Sequence, residues 1–134
     1  NDPGTALNAI DYLTELFQMR MRKSDESYIS EENNIYIKVR TVNFEELLYN
    51  VMASIRTYCK HDIIVVQKLG TMFFYLKSQE AQNDYYYKTL DREAYRLLDD
   101  AENSMDNRSD LGVIDRISKK LKLPERSKKK LPEN

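Results

Sequence analysis

The sequence predicts an all-α fold, a bundle of four main helices plus a short fifth with one short extended segment near residues 35–39, and three observations predict it. Apolar residues recur at spacings of three and four through most of the chain. Side chains able to cap a free helix N-terminus stand ahead of these stretches. Only 3 Gly and 3 Pro interrupt 134 residues, too few for a turn-rich β sandwich, while charged residues at 32% suit long solvated helices. A chain of this length fits one compact domain, since about 100–200 residues per domain is usual.

The opening Asn1-Asp2-Pro3 reads as a helix start, because Asp2 can cap free N–H groups and Pro3 suits a first helical position, where its missing donor costs nothing. Ala6, Leu7, Ile10, Leu13, Phe17 and Met21 carry this helix to about Lys23. Opening directly on a cap predicts that the chain continues upstream. Ser24 to Asn34 has four acidic residues, no basic one and no apolar period, so it reads as an exposed loop. Ile35, Ile37 and Val39 alternate like one face of a strand. No second strand is evident, so this one is expected to take its partner from outside the visible fold and to serve in self-association.

Asn43 and Glu46 form a capping-box pattern ahead of Phe44, Leu47, Leu48, Val51, Met52 and Ile55, a helix to about Cys59. Asp62 caps a third helix with Ile63, Val66, Leu69, Met72, Phe73 and Leu76, whose wide apolar surface predicts a central position. The short link between these two predicts an antiparallel hairpin. A fourth helix starts near Asn83 or Asp84 and carries Tyr86, Leu90, Ala94, Leu97, Leu98, Ala101 and Met105. Ser109 or Asp110 caps a last short one with Leu111, Ile114, Ile117 and Leu121. The helical domain is read as residues 1–123, with a disordered basic tail over 124–134. The expected core is Leu7, Ile10, Phe17, Phe44, Leu48, Val51, Ile55, Val66, Leu69, Phe73, Leu97 and Ile114.

Composition excludes several function classes. One Cys excludes an intramolecular disulfide framework, and one His excludes a zinc site needing two imidazoles. A net charge of −1 gives no global field for nucleic acid, and no apolar run approaches the ~20 residues of a membrane span. No cofactor motif and no Gly-rich phosphate loop are present.

The local constellations are read conservatively. His61-Asp62 resembles half of a phosphohydrolase metal pair but reads as a turn beside a cap. Cys59 and His61, two residues apart, point away from each other on a helix. The stretch from Asp106 to Gly112 lacks the ligand pattern of a calcium loop, because Arg108 and Ile117 occupy ligand positions. Asp99, Glu102 and Asp106 share one helical face, the geometry of a carboxylate-metal hydrolase, yet Arg92, Arg96 and Arg108 lie nearby and a solvated ion-paired face explains them. Tyr85-Tyr86-Tyr87 diverges by about 100° per residue, so one ring enters the core. Lys119, Lys120, Lys122, Arg126 and Lys128 to Lys130 make the C-terminal end basic, an alternative contact for anionic lipid or nucleic acid, with no specific nucleic acid expected.

Asn1-Asp2-Pro3-Gly4-Thr5-Ala6 leading to Ile10-Asp11-Tyr12-Leu13, together with Phe44-x-x-Leu47-Leu48 leading to Ile55-Arg56-x-Tyr58 and Asp62, resembles the C-terminal soluble part of the bacterial predicted membrane proteins called domain of unknown function family 2254. The resemblance covers about residues 1 to 121, with Ser54 where the family's Gln stands. It implies a soluble helical domain attached to membrane-spanning helices elsewhere in the same bacterial protein, and the domain is expected on the cytoplasmic side. It carries no assigned reaction. By family analogy Asn1, Asp2, Thr5, Asp11, Arg56 and Tyr58 are the ligand or interaction candidates, and Ile35, Ile37 and Val39 those for self-association. The reading is a non-catalytic domain acting in self-association, or in coupling a partner or ligand to the membrane part, with a homo-oligomer expected.

Overall fold

In a computed structural model of the chain, residues 3–30, 36–40 and 42–127 are described. The element order is α1 (Pro3–Met21), β1 (Glu26–Ser30), β2 (Tyr36–Arg40), α2 (Phe44–Cys59), α3 (Ile63–Lys77), α4 (Tyr85–Ser104) and α5 (Arg108–Lys120). The all-α bundle of five helices is as the sequence predicts. Asn43 accepts from the N–H groups of Glu45 (2.8 Å) and Glu46 (3.3 Å), and Asp62 from those of Ile64 (3.0 Å) and Val65 (3.3 Å), so both caps quench free donors.

Side-chain pairs fix the directions. Asp11 meets Lys68 and Gln18 meets Tyr75, equal steps along α1 and α3, so these two helices run parallel. Gly70 against Ile117 and Lys77 against Leu121 set α5 the same way. Glu45 with Arg92 and Arg56 with Asp100 climb together along α2 and α4. Helix α3 is flanked by α1 and α5, while α4, with α2 beside it, packs beneath. Val65, Val66, Leu69, Met72, Phe73 and Leu76 are all buried, which makes α3 the centre of the bundle.

Three expectations are corrected. The strand is not alone: β1 pairs antiparallel with β2, Ile29 opposite Ile37 and Ser27 opposite Val39, so the partner comes from the segment read as a loop. Its acidic residues hid the short Glu26–Ser30 run, and Ile35 falls outside the described residues. Helices α2 and α3 do not pack as a hairpin, since α3 is taken up by α1, α4 and α5 and α2 lays its length on α4. Helix α5 begins earlier than expected, because Asn107, rather than Ser109 or Asp110, accepts from the N–H groups of Ser109 (2.7 Å) and Asp110 (3.4 Å).

Of the expected core, Ile10, Phe17, Phe44, Leu48, Val66, Leu69, Phe73, Leu97 and Ile114 are buried, Val51 and Ile55 pack partly buried against them, and Leu7 is half-buried. Gly70 lets α3 and α5 close: a Cβ there would lie 2.8 Å from Ile117 Cγ2, an atom fixed on a stiff branched side chain. Gly70→Val is expected to destabilise by about 1–3 kcal/mol through overpacking, read by thermal melting. An unchanged melting temperature would show that the α3–α5 contact is looser than this.

The end of α5 is a left-handed turn. Lys122 has φ 57°, its N–H reaches Lys119 O (3.1 Å), and the Leu123 N–H reaches Ser118 O (3.1 Å). Glycine is the usual occupant there, and a side chain costs roughly 1–2 kcal/mol. Beyond it Arg126, assigned to the tail by sequence, is folded back: its Nη1 donates to Ser118 Oγ (3.0 Å), Nη2 lies 3.7 Å from Glu102, and its guanidinium covers Tyr95.

Candidate functional site

Two features stand out, a latch at the base of the β hairpin and the outer surface of α1. The latch is built on Asp25. Its Oδ1 accepts from the Phe44 N–H (2.9 Å), the Tyr86 hydroxyl (3.1 Å) and the Arg20 guanidinium. Arg20 in turn donates to Lys23 O (2.9 Å) and Val42 O (2.6 Å), so one side chain at the end of α1 holds the chain entering and leaving the hairpin. Tyr86 is buried against Phe44, ring centroids 4.7 Å apart, and its hydroxyl proton is shared with Lys23 O (3.0 Å). Burial opposes ionisation of Asp25, but the Phe44 N–H, Arg20 and the Tyr86 hydroxyl outweigh it and hold the carboxyl below its ordinary value. Burial, and Asp25 beside it, push the Tyr86 phenol upward despite Arg20.

Helix α1 has two apolar faces. Ile10, Phe17 and Met21 enter the core, while Tyr12, Leu16 and Met19 remain 70%, 59% and 60% exposed on the opposite side. Their spacing of four and three makes one continuous stripe, extended toward the N-terminus by the exposed Ala9. Beside it an open groove of about 550 Å³ lies between α1 and α3. Asp11 spans it to Lys68 Nζ (2.6 Å), and Gln18 accepts from Tyr75 (3.0 Å) while donating to Gln79 (2.8 Å). The hydroxyls of Thr14 and Thr71 donate to carbonyls of their own helices, at 2.7 and 3.1 Å. In its walls Asp11 is thus engaged with Lys68 and Gln18 with Tyr75, while Thr14 and Thr71 are engaged with their own backbones.

The candidates from sequence do not converge on one site. Asn1 and Asp2 lie outside the described residues, Thr5 is exposed in the first turn of α1, and Asp11 belongs to the groove. Arg56 points the other way, its Nε 3.7 Å from Asp100, and Tyr58 stands 81% exposed near the end of α2. Ile37 and Val39 sit in β2, paired within the chain. Asp99, Glu102 and Asp106 do not assemble: Glu102 is buried near Arg126, and no group of three or more His, Cys, Asp or Glu among the described residues could hold a metal ion. Sequence reasoning missed Lys68 and Gln18, and also the outer stripe of α1, although the spacing of Tyr12, Leu16 and Met19 was there to find.

A family model described as predicted membrane protein (DUF2254) matches residues 1–74, which hold α1, both strands, α2 and most of α3. No curated protein and no solved structure matches the chain. Among the described residues no helix is long and apolar enough to cross a membrane.

Proposed function

The chain belongs to the DUF2254 family of predicted membrane proteins, and from that premise we propose that it is a non-catalytic helical domain that pairs with a second copy of itself beside the membrane part of the protein. The observation that carries this reading is the stripe of Tyr12, Leu16 and Met19 on the side of α1 turned away from the core. Large exposed apolar side chains in a row are the mark of an interaction surface. With Ala9, the stripe has the alternating three and four spacing of a helix–helix seam. Two copies of it laid antiparallel about a twofold axis set Ala9 against Met19 and Tyr12 against Leu16, small against large, and oppose the helix dipoles.

The size of the stripe decides what sort of pair it makes. Side chains of this size and exposure offer roughly 400 Å² per copy, or about 800 Å² across the pair, below the ~1,200 Å² of a stable interface. Pairing is therefore weak in dilute solution and strengthened where copies are held in one membrane, which raises their effective concentration.

Burial, and then Asp62, push the Cys59 thiol above its ordinary value, away from the reactive thiolate. His61 is exposed in the turn between α2 and α3.

The pairing geometry is tested by cross-linking in a Cys59→Ser background. Mixed Tyr12→Cys and Leu16→Cys chains are expected to form a disulfide-linked dimer faster than either mixed with Ser54→Cys, an exposed position on α2. Equal rates would contradict the antiparallel seam.

A further inference from the structure

A second surface lies on the other side of α3, where its C-terminal half meets the end of α5. Two adjoining grooves of about 170 and 220 Å³ share Phe74, Lys120 and Leu121. Phe74 is 45% exposed, and Lys120 Nζ sits 4.5 Å from the centre of its ring. Lys77 is already committed, to Leu121 O (2.6 Å) and Asp91 (2.7 Å), and Lys119 to Asp115 (3.0 Å). No ion pair found among the described residues uses Lys120 or Lys122. Lys122 also occupies the left-handed turn position that glycine fits better. From Leu111 to the C-terminus the sequence holds eight basic residues against three acidic ones.

We propose that this junction, with Phe74 and Lys120 flanking an apolar groove beside Lys122, docks on an anionic phospholipid leaflet. Charge and chemistry agree on that occupant. Lys120 and Lys122 edge the larger groove, which is mainly apolar, while Gln67 and Thr71 line the smaller one, so the lysine stems cover the larger groove while the ammonium groups reach phosphate, and the exposed Phe74 ring suits the headgroup level. A protein of a membrane family has such a surface close at hand. The surface is separate from the outer stripe of α1, and lipid docking does not depend on pairing.

The test is co-sedimentation of the chain with vesicles of phosphatidylcholine alone or with about 30% phosphatidylserine. Binding is expected to the anionic vesicles only, and to fall as salt rises. Lys120→Glu with Lys122→Glu is expected to weaken it about tenfold or more. Phe74→Ser is expected to weaken it with no change in charge. Lys122→Gly separates lipid contact from folding: it relieves the left-handed turn and removes a charge, so melting temperature should rise while vesicle binding falls. A chain ending at Ser127 is expected to bind still. Binding that survives the Lys120 and Lys122 changes, that is lost entirely with residues 128–134, or that a charge reversal at Lys60, just ahead of the opposite end of α3, reduces equally, would overturn the proposal. So would capture of single-stranded RNA in preference to the anionic vesicles.

Discussion

Phe73→Ala is expected to lower the unfolding free energy by about 3–5 kcal/mol, a large share of the ~5–15 kcal/mol that holds a domain together. Phe73 is fully buried on α3, the helix against which α1, α4 and α5 all pack, so no single neighbour can swing in to fill the space. The loss combines the transfer energy of the ring with the cavity left behind. Urea denaturation measures it, and a loss below about 1 kcal/mol would show that α3 is not the centre of the core.

Asp25→Asn is expected to cost about 1–2 kcal/mol at neutral pH, because it removes the charge from hydrogen bonds with Arg20, Phe44 and Tyr86 at a partly solvated site. The pH dependence has a definite sign. The folded carboxyl titrates below the ordinary value of 3.8, so its contribution is fully present above that value and is lost as pH falls through the folded pKa. The wild-type and variant stabilities should therefore converge in acid. Hydrogen exchange is expected to quicken in β1 and β2 of the variant, since the latch fixes both chain ends of the hairpin. A constant gap between the two proteins down to pH 2 would contradict the latch.

What was legible in the sequence was whatever rests on local chemistry. Asn43 and Asp62 cap as read, the stripe of α4 buries the residues its spacing selects, that of α3 does so except for the half-buried Ile63, and that of α2 buries Phe44, Leu48 and Met52 while Leu47, Val51 and Ile55 stay partly exposed. What was not legible depends on partners far along the chain. Glu26–Ser30 has little alternation of its own and becomes a strand through pairing with Tyr36–Arg40. Helix α2 joins α4 rather than its sequence neighbour because α3 has no room left, a fact about three other helices. Arg126 looks like any residue of a basic tail until Ser118, Glu102 and Tyr95 are brought beside it. The candidate residues taken from family resemblance scattered over different faces, whereas the outer stripe of α1 shows once its inner stripe is known to fill the core.

The proposed pairing through α1 is tested most directly by sedimentation equilibrium of the chain and of Leu16→Lys. Leu16 is 59% exposed, so the change should leave the fold intact, checked by an unaltered melting temperature. The weight-average mass of the wild-type chain is expected to rise from the monomer value of 15.9 kDa toward twice that as concentration climbs from about 10 µM to about 1 mM. The variant should stay at the monomer mass throughout. A wild-type chain that remains monomeric at the highest concentration, or a dimer that Leu16→Lys leaves undisturbed, would contradict the account.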